Sequence, residues 1–266
     1  MYTLRRILYY LRSIFTLLSG VQNPGALLAL ARGKGPLTLA LADGSRYHVK
    51  TLMDAWIVKE TVLDRDYERH GVPMRDGWTV IDVGAAGGDF TVFAARRVPK
   101  GRVLAFEPAP DSVETLRKNV AANGLENVEV HPVAVGAQAG TITLDVSGGV
   151  AVQYRTAGVQ ESLRPLTNRV RVECVPLSQV LAGLPEGRAD FLKIDVEGEE
   201  YETLFGLDDA TLARVNRLCM EYHEGVTQYG HADLERFLKA KGWRVRVSPS
   251  PVRAELGFLY AQSPLV

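Results

Sequence analysis

The first apolar pattern along the chain is helical. Leu4, Ile7, Leu8, Leu11, Ile14, Phe15 and Leu18 fall on one stripe, with Arg5 and Arg12 away from its centre, which predicts an amphipathic helix. Residues 37–41 and 46–50 flank Ala42-Asp43-Gly44-Ser45, whose Asp-Gly pair signals a β-hairpin. A helical stretch follows over roughly 55–69 and stops at Gly71 and Pro73. Short apolar runs then alternate with helices. Strands are expected at 78–83, 103–106 and 128–130, and helices through Phe90, Phe93 and Ala94 and through Val113, Leu116 and Val120. Asp111 and Glu114 read as a capping box for the second of these helices, which ends at Asn123-Gly124.

Between 133 and 175 the pattern is β with glycine-rich breaks and no convincing helix. The alternation resumes with a strand at 191–194, a helix near 199–205, a strand at 218–222 and a helix through Leu234, Phe237 and Leu238. Strands at 243–247 and 256–261 close the chain. Such alternation implies an α/β, doubly wound fold: a parallel sheet with helices on both faces. Neither an internal repeat nor a Pro/Ser-rich linker divides it, so residues 51–266 read as one domain and 1–50 as an appendage of amphipathic helix and β-hairpin.

Composition narrows the function. With 46% apolar and 23% charged residues in 266, the chain is an ordinary globular protein and wholesale disorder is excluded. Zero net charge argues against a nucleic-acid partner gripped through phosphates. Cys174 and Cys219 are too few for a disulfide framework, and a reducing, cytoplasmic setting fits best. One local asymmetry stands out. No acid precedes Asp43, while Arg5, Arg6, Arg12, Arg32 and Lys34 give the first 42 residues a charge of +5. Arg12 argues against a membrane span, since a central Arg costs roughly 2.5–3.5 kcal/mol on insertion scales. It also breaks a signal-peptide reading that Ala29-Leu30-Ala31 would otherwise suggest. Two readings remain for residues 1–34: a helix packed on the body or a partner chain, or peripheral contact with an anionic membrane.

The chemistry gathers at strand ends. The strand at 78–83 runs into Asp82-Val83-Gly84-Ala85-Ala86-Gly87-Gly88. Small residues in a strand-to-helix turn let a ligand approach the backbone, and the helix N-terminus offers N–H donors. The spacing is not the G-x-G-x-x-G of a dinucleotide site, and an acid on the strand suits an ammonium-bearing ligand better than a pyrophosphate. Asp-x-Gly-x-x-x-Gly is instead the pattern of S-adenosylmethionine enzymes of the doubly wound class, although a turn needed for packing accounts for the same glycines. Glu107, 19 residues beyond Gly88 in Phe106-Glu107-Pro108, stands where an acid accepts both ribose hydroxyls. In 191–198, Lys193 and Asp195 share a strand face; a buried Lys should meet a carboxylate. Glu221 and His223 share a face of the next strand. A structural ion-pair network explains Lys193 and Glu221 about as well as catalysis does, whereas Asp195 and His223 lie nearer the strand ends.

Val80-Ile81-Asp82-Val83-Gly84-Ala85, Ala105-Phe106-Glu107-Pro108, Asn123-Gly124-Leu125 and Asp190-Phe191-Leu192-Lys193-Ile194-Asp195-Val196-Glu197-Gly198 resemble the FkbM-type methyltransferases, over roughly residues 57–222. The resemblance implies a class I methyltransferase (Rossmann-like) fold with a seven-stranded sheet. It also implies S-adenosylmethionine as donor and a hydroxyl acceptor on a sugar, glycolipid or natural product. Cofactor contacts are then expected from Asp82, Gly84, Ala85 and Gly88 around the methionine part, Glu107 and Pro108 at the ribose, Ala134 in the segment near the adenine, and Asp195. Two departures bear on polar contacts: Ala86-Gly87 stands where the family often has Asn-Ile, and Asp89 where it often has an aromatic or small polar residue.

A hydroxyl is a poor nucleophile until its proton is removed, so O-methylation calls for a base or a metal. Asp195 with His223, and Lys193 beside them, are the catalytic candidates; Asp195, Glu221 and His223 are the candidate ligands for Mg²⁺ or another divalent cation. Glu197 or Glu224 would supply a further carboxylate. The acceptor is expected to meet the β-rich insert at 148–171, where Gln153, Tyr154, Arg155 and Glu161 are polar. The rivals are a non-catalytic S-adenosylmethionine-binding scaffold and an N-methyltransferase. Against the second, no Asn-Pro-Pro-Tyr type motif follows the strand at 191–194.

Overall fold

The computed structural model describes residues 2–145, 155–156, 169–196 and 199–266. Helices α1 (Tyr2–Gly20) and α2 (Gly25–Ala31) lead into a hairpin of β1 (Leu37–Ala40) and β2 (Arg46–Val49). Its turn uses Gly44 at φ 85°, and the Asp43 carboxylate accepts the Ser45 N–H. Helix α3 (Leu52–Val58) starts at a capping box of Thr51 and Asp54 and continues as a π-helical turn, Lys59–Leu63. The helix expected over 55–69 thus begins and ends earlier, because Arg65 adopts a left-handed φ of 59° that breaks it.

The α/β body follows: β3 (Thr79–Val83), α4 (Asp89–Arg97), β4 (Arg102–Phe106), α5 (Pro110–Ala122) and β5 (Val128–His131). Next come β6 (Ala134–Gly136), β7 (Gly140–Asp145), β8 (Arg155–Thr156), β9 (Arg169–Pro176) and α6 (Leu177–Ala182). The chain ends with β10 (Phe191–Ile194), α7 (Glu200–Phe205), α8 (Asp209–Leu212), β11 (Arg217–His223), α9 (His231–Ala240), β12 (Arg244–Pro249) and β13 (Leu256–Gln262). Helix α5 starts one residue before Asp111, with Pro110 at its first position, where the fixed φ suits a helix start. The capping box expected from Asp111 and Glu114 is therefore not formed: Ala109 is the N-cap, and Glu114 pairs with Lys118 at 2.5 Å.

The main sheet has seven strands in the order β12-β13-β11-β10-β3-β4-β5. Its inner pairs, β11 to β5, are parallel, but β13 runs antiparallel to both β11 and β12. The sheet is thus mixed, because the last two strands form a hairpin rather than a crossover. β3 is buried at all five positions. Ile81, Leu104, Leu192 and Leu218 pack into one apolar layer; Val80, Val103, Phe191 and Cys219, displaced by one residue, pack with Phe90 into the other. From β3 the chain moves out through β4 and β5, then returns to β10 on β3's other side. That reversal places the ligand crevice at the carboxyl ends of β3 and β10. A second sheet, β6-β9-β7-β8, forms beyond β5.

α1 sits on the π-helical turn in an unexpected orientation. Ser13 and Leu17 are buried, whereas Ile7, Leu8, Leu11, Ile14, Phe15 and Leu18 are each at least 50% exposed. Its apolar stripe is not what attaches the helix to the body. Among the described residues, no helix is long and apolar enough to cross a membrane.

Candidate functional site

The loop after β3 is shaped by two glycines in left-handed conformation. Gly84 has φ +75°, and a Cβ there would lie 1.9 Å from the Asp195 carbonyl; Gly88 has φ +84°, and a Cβ would lie 2.3 Å from Leu116. Only glycine allows the loop to lie against the end of β10 and the flank of α5. The N–H groups of Gly84 and Ala85 both donate to the Phe106 carbonyl, and Asn119 Nδ2 on α5 donates to the Gly87 carbonyl. Asn119 also accepts the His48 N–H, so α5 ties the β-hairpin to this loop.

Asp82 lies at the bottom of the crevice, fully buried, and Lys193 is its cross-strand neighbour in the β3–β10 register. Lys193 Nζ stands 3.1 Å from Asp82, donates to the Gly84 carbonyl at 2.6 Å, and lies 4.0 Å from Asp195. Thr91 donates to the other Asp82 oxygen at 2.6 Å. Burial by itself would lower the Lys193 pKa, but the carboxylates of Asp82, Asp195 and Asp89 outweigh it and raise it. Lys193 is thereby favoured as an ammonium, the form that pairs with Asp82 and donates to the Gly84 carbonyl. The ammonium facing Asp82 belongs to the protein: Asp82 holds Lys193, which in turn holds the loop at the Gly84 carbonyl.

At the carboxyl ends of β10 and β11, Asp195, Glu200 and His223 present ligand atoms that all lie within 4.8 Å of one another. Asp195 is one-quarter exposed and accepts the Tyr67 hydroxyl at 3.0 Å. Burial first, then the Asp195 charge, raises the Tyr67 pKa well above its usual value, so the phenol stays a donor. His223 Nδ1 is 3.1 Å from Glu200, which also accepts the Val196 N–H. Glu200, from the first turn of α7, joins Asp195 and His223 in this group, whereas Glu221 sits two residues, about 7 Å, down β11 from the strand end at His223. Glu224 instead binds the backbone and imidazole of His231, and Glu197 lies outside the described residues.

Glu107 is 6% exposed, and its two oxygens each accept one backbone N–H, from Ala86 and Ala109, both at 2.8 Å. Desolvation raises its pKa to about 7, although those two N–H groups pull the other way. Each oxygen keeps a lone pair for a hydroxyl donor. Pro108 lines a cleft of about 690 Å³ that also involves Pro132, Arg117 and Val172. Ala134 is buried in an apolar cluster with Ala109, Val172 and Cys174. Gln153, Tyr154 and Glu161 lie outside the described residues, as does the Arg155 side chain. Sequence reasoning missed Tyr67, Thr91 and Glu200. Glu200 had one signal, an acid opening a helix behind a strand end; Tyr67 had none.

Comparison with known proteins speaks to the family and the fold. A family model described as the methyltransferase FkbM domain matches residues 82–245. The 31-O-demethyl-FK506 methyltransferase FkbM of Streptomyces tacrolimicus is 30% identical over 246 residues, covering 82% of this chain and 92% of its own. Methyltransferase 1 of Beauveria bassiana is 28% identical over 207 residues, covering 72% of this chain and 82% of its own. Among solved structures, a methyltransferase FkbM from Methylobacillus flagellatus superposes with a TM-score of 0.53 at 16% identity, over 90% of this chain and 59% of that one. The chain belongs to the FkbM family of methyltransferases and has the class I methyltransferase fold.

Proposed function

We propose that this protein transfers a methyl group from S-adenosylmethionine to a hydroxyl of a small molecule or glycan, of the sugar, glycolipid or natural-product class. The observation that carries the reading is the convergence of Asp195, Glu200 and His223 beside the Gly84 loop. The donor residues fit the cofactor: a desolvated carboxylate with lone pairs to spare at the end of β4 suits a ribose diol, and the glycine loop lets the methionine part lie close to the backbone. When bound, the sulfonium supplies an electrophilic methyl carbon, and catalysis is chiefly the alignment of the attacking oxygen.

The remaining steps fall to this chain's own groups. Asp195, held by Tyr67, accepts the hydrogen bond of the acceptor hydroxyl and orients it. His223, with Nδ1 turned to Glu200, has Nε2 as its basic nitrogen and takes the proton. Lys193 and Asp82 position the loop between them. A divalent cation held by Asp195, Glu200 and His223 is the second reading, favoured by the same 4.8 Å cluster.

S-adenosylhomocysteine release against a panel of sugars, glycolipids and hydroxylated small molecules tests the proposal. His223→Ala and Asp195→Asn should each lower turnover by about 10²–10⁴ while cofactor binding persists. Chelator should leave a base-driven enzyme active and silence a metal-driven one until Mg²⁺ or Mn²⁺ is restored. Full activity in both variants would remove the cluster from the mechanism. Transfer only to amines would favour the N-methyltransferase, and cofactor binding without any transfer would favour the scaffold.

A further inference from the structure

α1 is fastened to the body by Leu17 in the apolar core, by Tyr9 and Tyr10 packed on Trp56, and by a set of polar contacts. Lys59, fully buried beneath it, forms an ion pair with Asp64 at 2.5 Å, donates to Ser13 at 2.6 Å, and lies over the rings of Tyr9 and Trp56. Tyr9 donates to Glu60 on the same π-helical turn. These contacts fix how the helix is turned. Its docked side carries Tyr9, Ser13 and Leu17, and the opposite side presents Ile7, Leu8, Leu11, Ile14, Phe15 and Leu18 to solvent, with Phe15 72% exposed. At 100° per residue these six positions span an arc of about 120°, and Arg12 falls along its edge. No carboxylate occurs in the first 42 residues, which carry +5.

We propose that this face seats the protein on an anionic lipid surface, with the apolar side chains entering the headgroup–acyl boundary and Arg12 at their edge meeting the lipid phosphates. A broad apolar arc edged by arginine on a helix lying flat is the geometry such surfaces bind. The alternative occupant, a second copy of the same face, fits worse on two counts. Pairing the faces would bring two acid-free, positively charged segments together with no complementary charge. The face is also small. A helix of 19 residues is about 28 Å long, so an apolar strip about 11 Å wide offers roughly 300 Å² per chain, against about 800 Å² per partner in a stable complex.

The test uses the full chain, because removing α1 would uncover Lys59. Sedimentation with vesicles of phosphatidylcholine alone, or mixed with phosphatidylglycerol, should show binding only to the anionic set at low salt. That binding should weaken as added salt shortens the Debye length. L11E/F15E, at two exposed positions, should lose about a hundredfold or more in partitioning, and R12Q about fivefold. Both variants should keep the wild-type melting temperature and cofactor affinity. Three results would overturn the proposal: no binding to anionic vesicles at low salt, equal binding by L11E/F15E, or a solution dimer that L11E/F15E dissociates without any vesicle binding.

Discussion

Glu107→Gln probes the donor site through a charge that the fold holds at some cost. The carboxyl is 6% exposed, and its pKa is raised from its usual 4.5 to about 7, chiefly by desolvation. A raised acid is held neutral by the fold. Its stabilising contribution is therefore full below about pH 4.5 and is lost as pH rises through 7, amounting to about 3 kcal/mol at about 1.4 kcal/mol per unit. Glutamine removes that pH dependence. It also sets an NH₂ against one of the two N–H donors, Ala86 or Ala109, at a cost of about 1–3 kcal/mol. The variant should thus be less stable than wild type at pH 5 and equal or better at pH 8. Cofactor binding should behave differently. In the proposed binding mode the carboxylate form accepts the ribose hydroxyls, so wild-type affinity should fall as pH drops below 7, while the variant should be flat in pH and about 10–150-fold weaker at pH 8. Thermal melts and isothermal titration with S-adenosylhomocysteine at pH 5, 7 and 8 read both effects. Wild-type affinity in the variant at pH 8 would refute the placement of the ribose at Glu107.

Three further outcomes follow from the geometry. Lys193→Met leaves Asp82 buried without its ammonium and should cost about 3–5 kcal/mol in denaturant unfolding, partly recovered by adding Asp82→Asn; a change within about 1 kcal/mol would contradict the buried pair. Gly84→Ala drives a Cβ against the Asp195 carbonyl and should cost more than about 2 kcal/mol and abolish cofactor binding, whereas Gly87→Ala, whose Cβ meets only Thr115 at 3.5 Å, should fold normally by circular dichroism and melting. Tyr67→Phe removes the donor to Asp195 and should lower kcat about tenfold with cofactor affinity unchanged, as read by paired kinetics and titration.

Much of the fold was legible because its signals are periodic. The strand at Thr79–Val83 and the helix after its glycine turn stand out as an apolar run ending in small residues. Period-two alternation placed Lys193 and Asp195 on one face and required a carboxylate partner for Lys193. It could not say that Asp82 is that partner, because the β3–β10 register depends on which strands become neighbours after a crossover of about a hundred residues. The presence of Glu200 in the group has the same origin: it enters from α7, and its approach to His223 is a packing relation. Tyr67 falls within the helix expected over 55–69, but it lies in the irregular segment beyond the left-handed Arg65, so helical spacing points its side chain wrongly. Helix α8, of four residues, is about one turn and too short for helical spacing to show. The docked side of α1 was hidden for another reason: the stripe that usually marks a buried face here marks the exposed one, while a buried lysine holds the other.

Methyl transfer to oxygen at the Asp195–Glu200–His223 cluster is the proposal on which the others depend. It is tested most directly by incubating wild type and Asp195→Asn with methyl-¹³C S-adenosylmethionine and a hydroxylated acceptor taken from the turnover panel, and reading the product by ¹³C NMR. An O-methyl resonance is expected from wild type, with about 10²–10⁴-fold slower formation of the same product by the variant at equal cofactor occupancy. A methyl carbon attached to nitrogen, or an undiminished rate in Asp195→Asn, would contradict it.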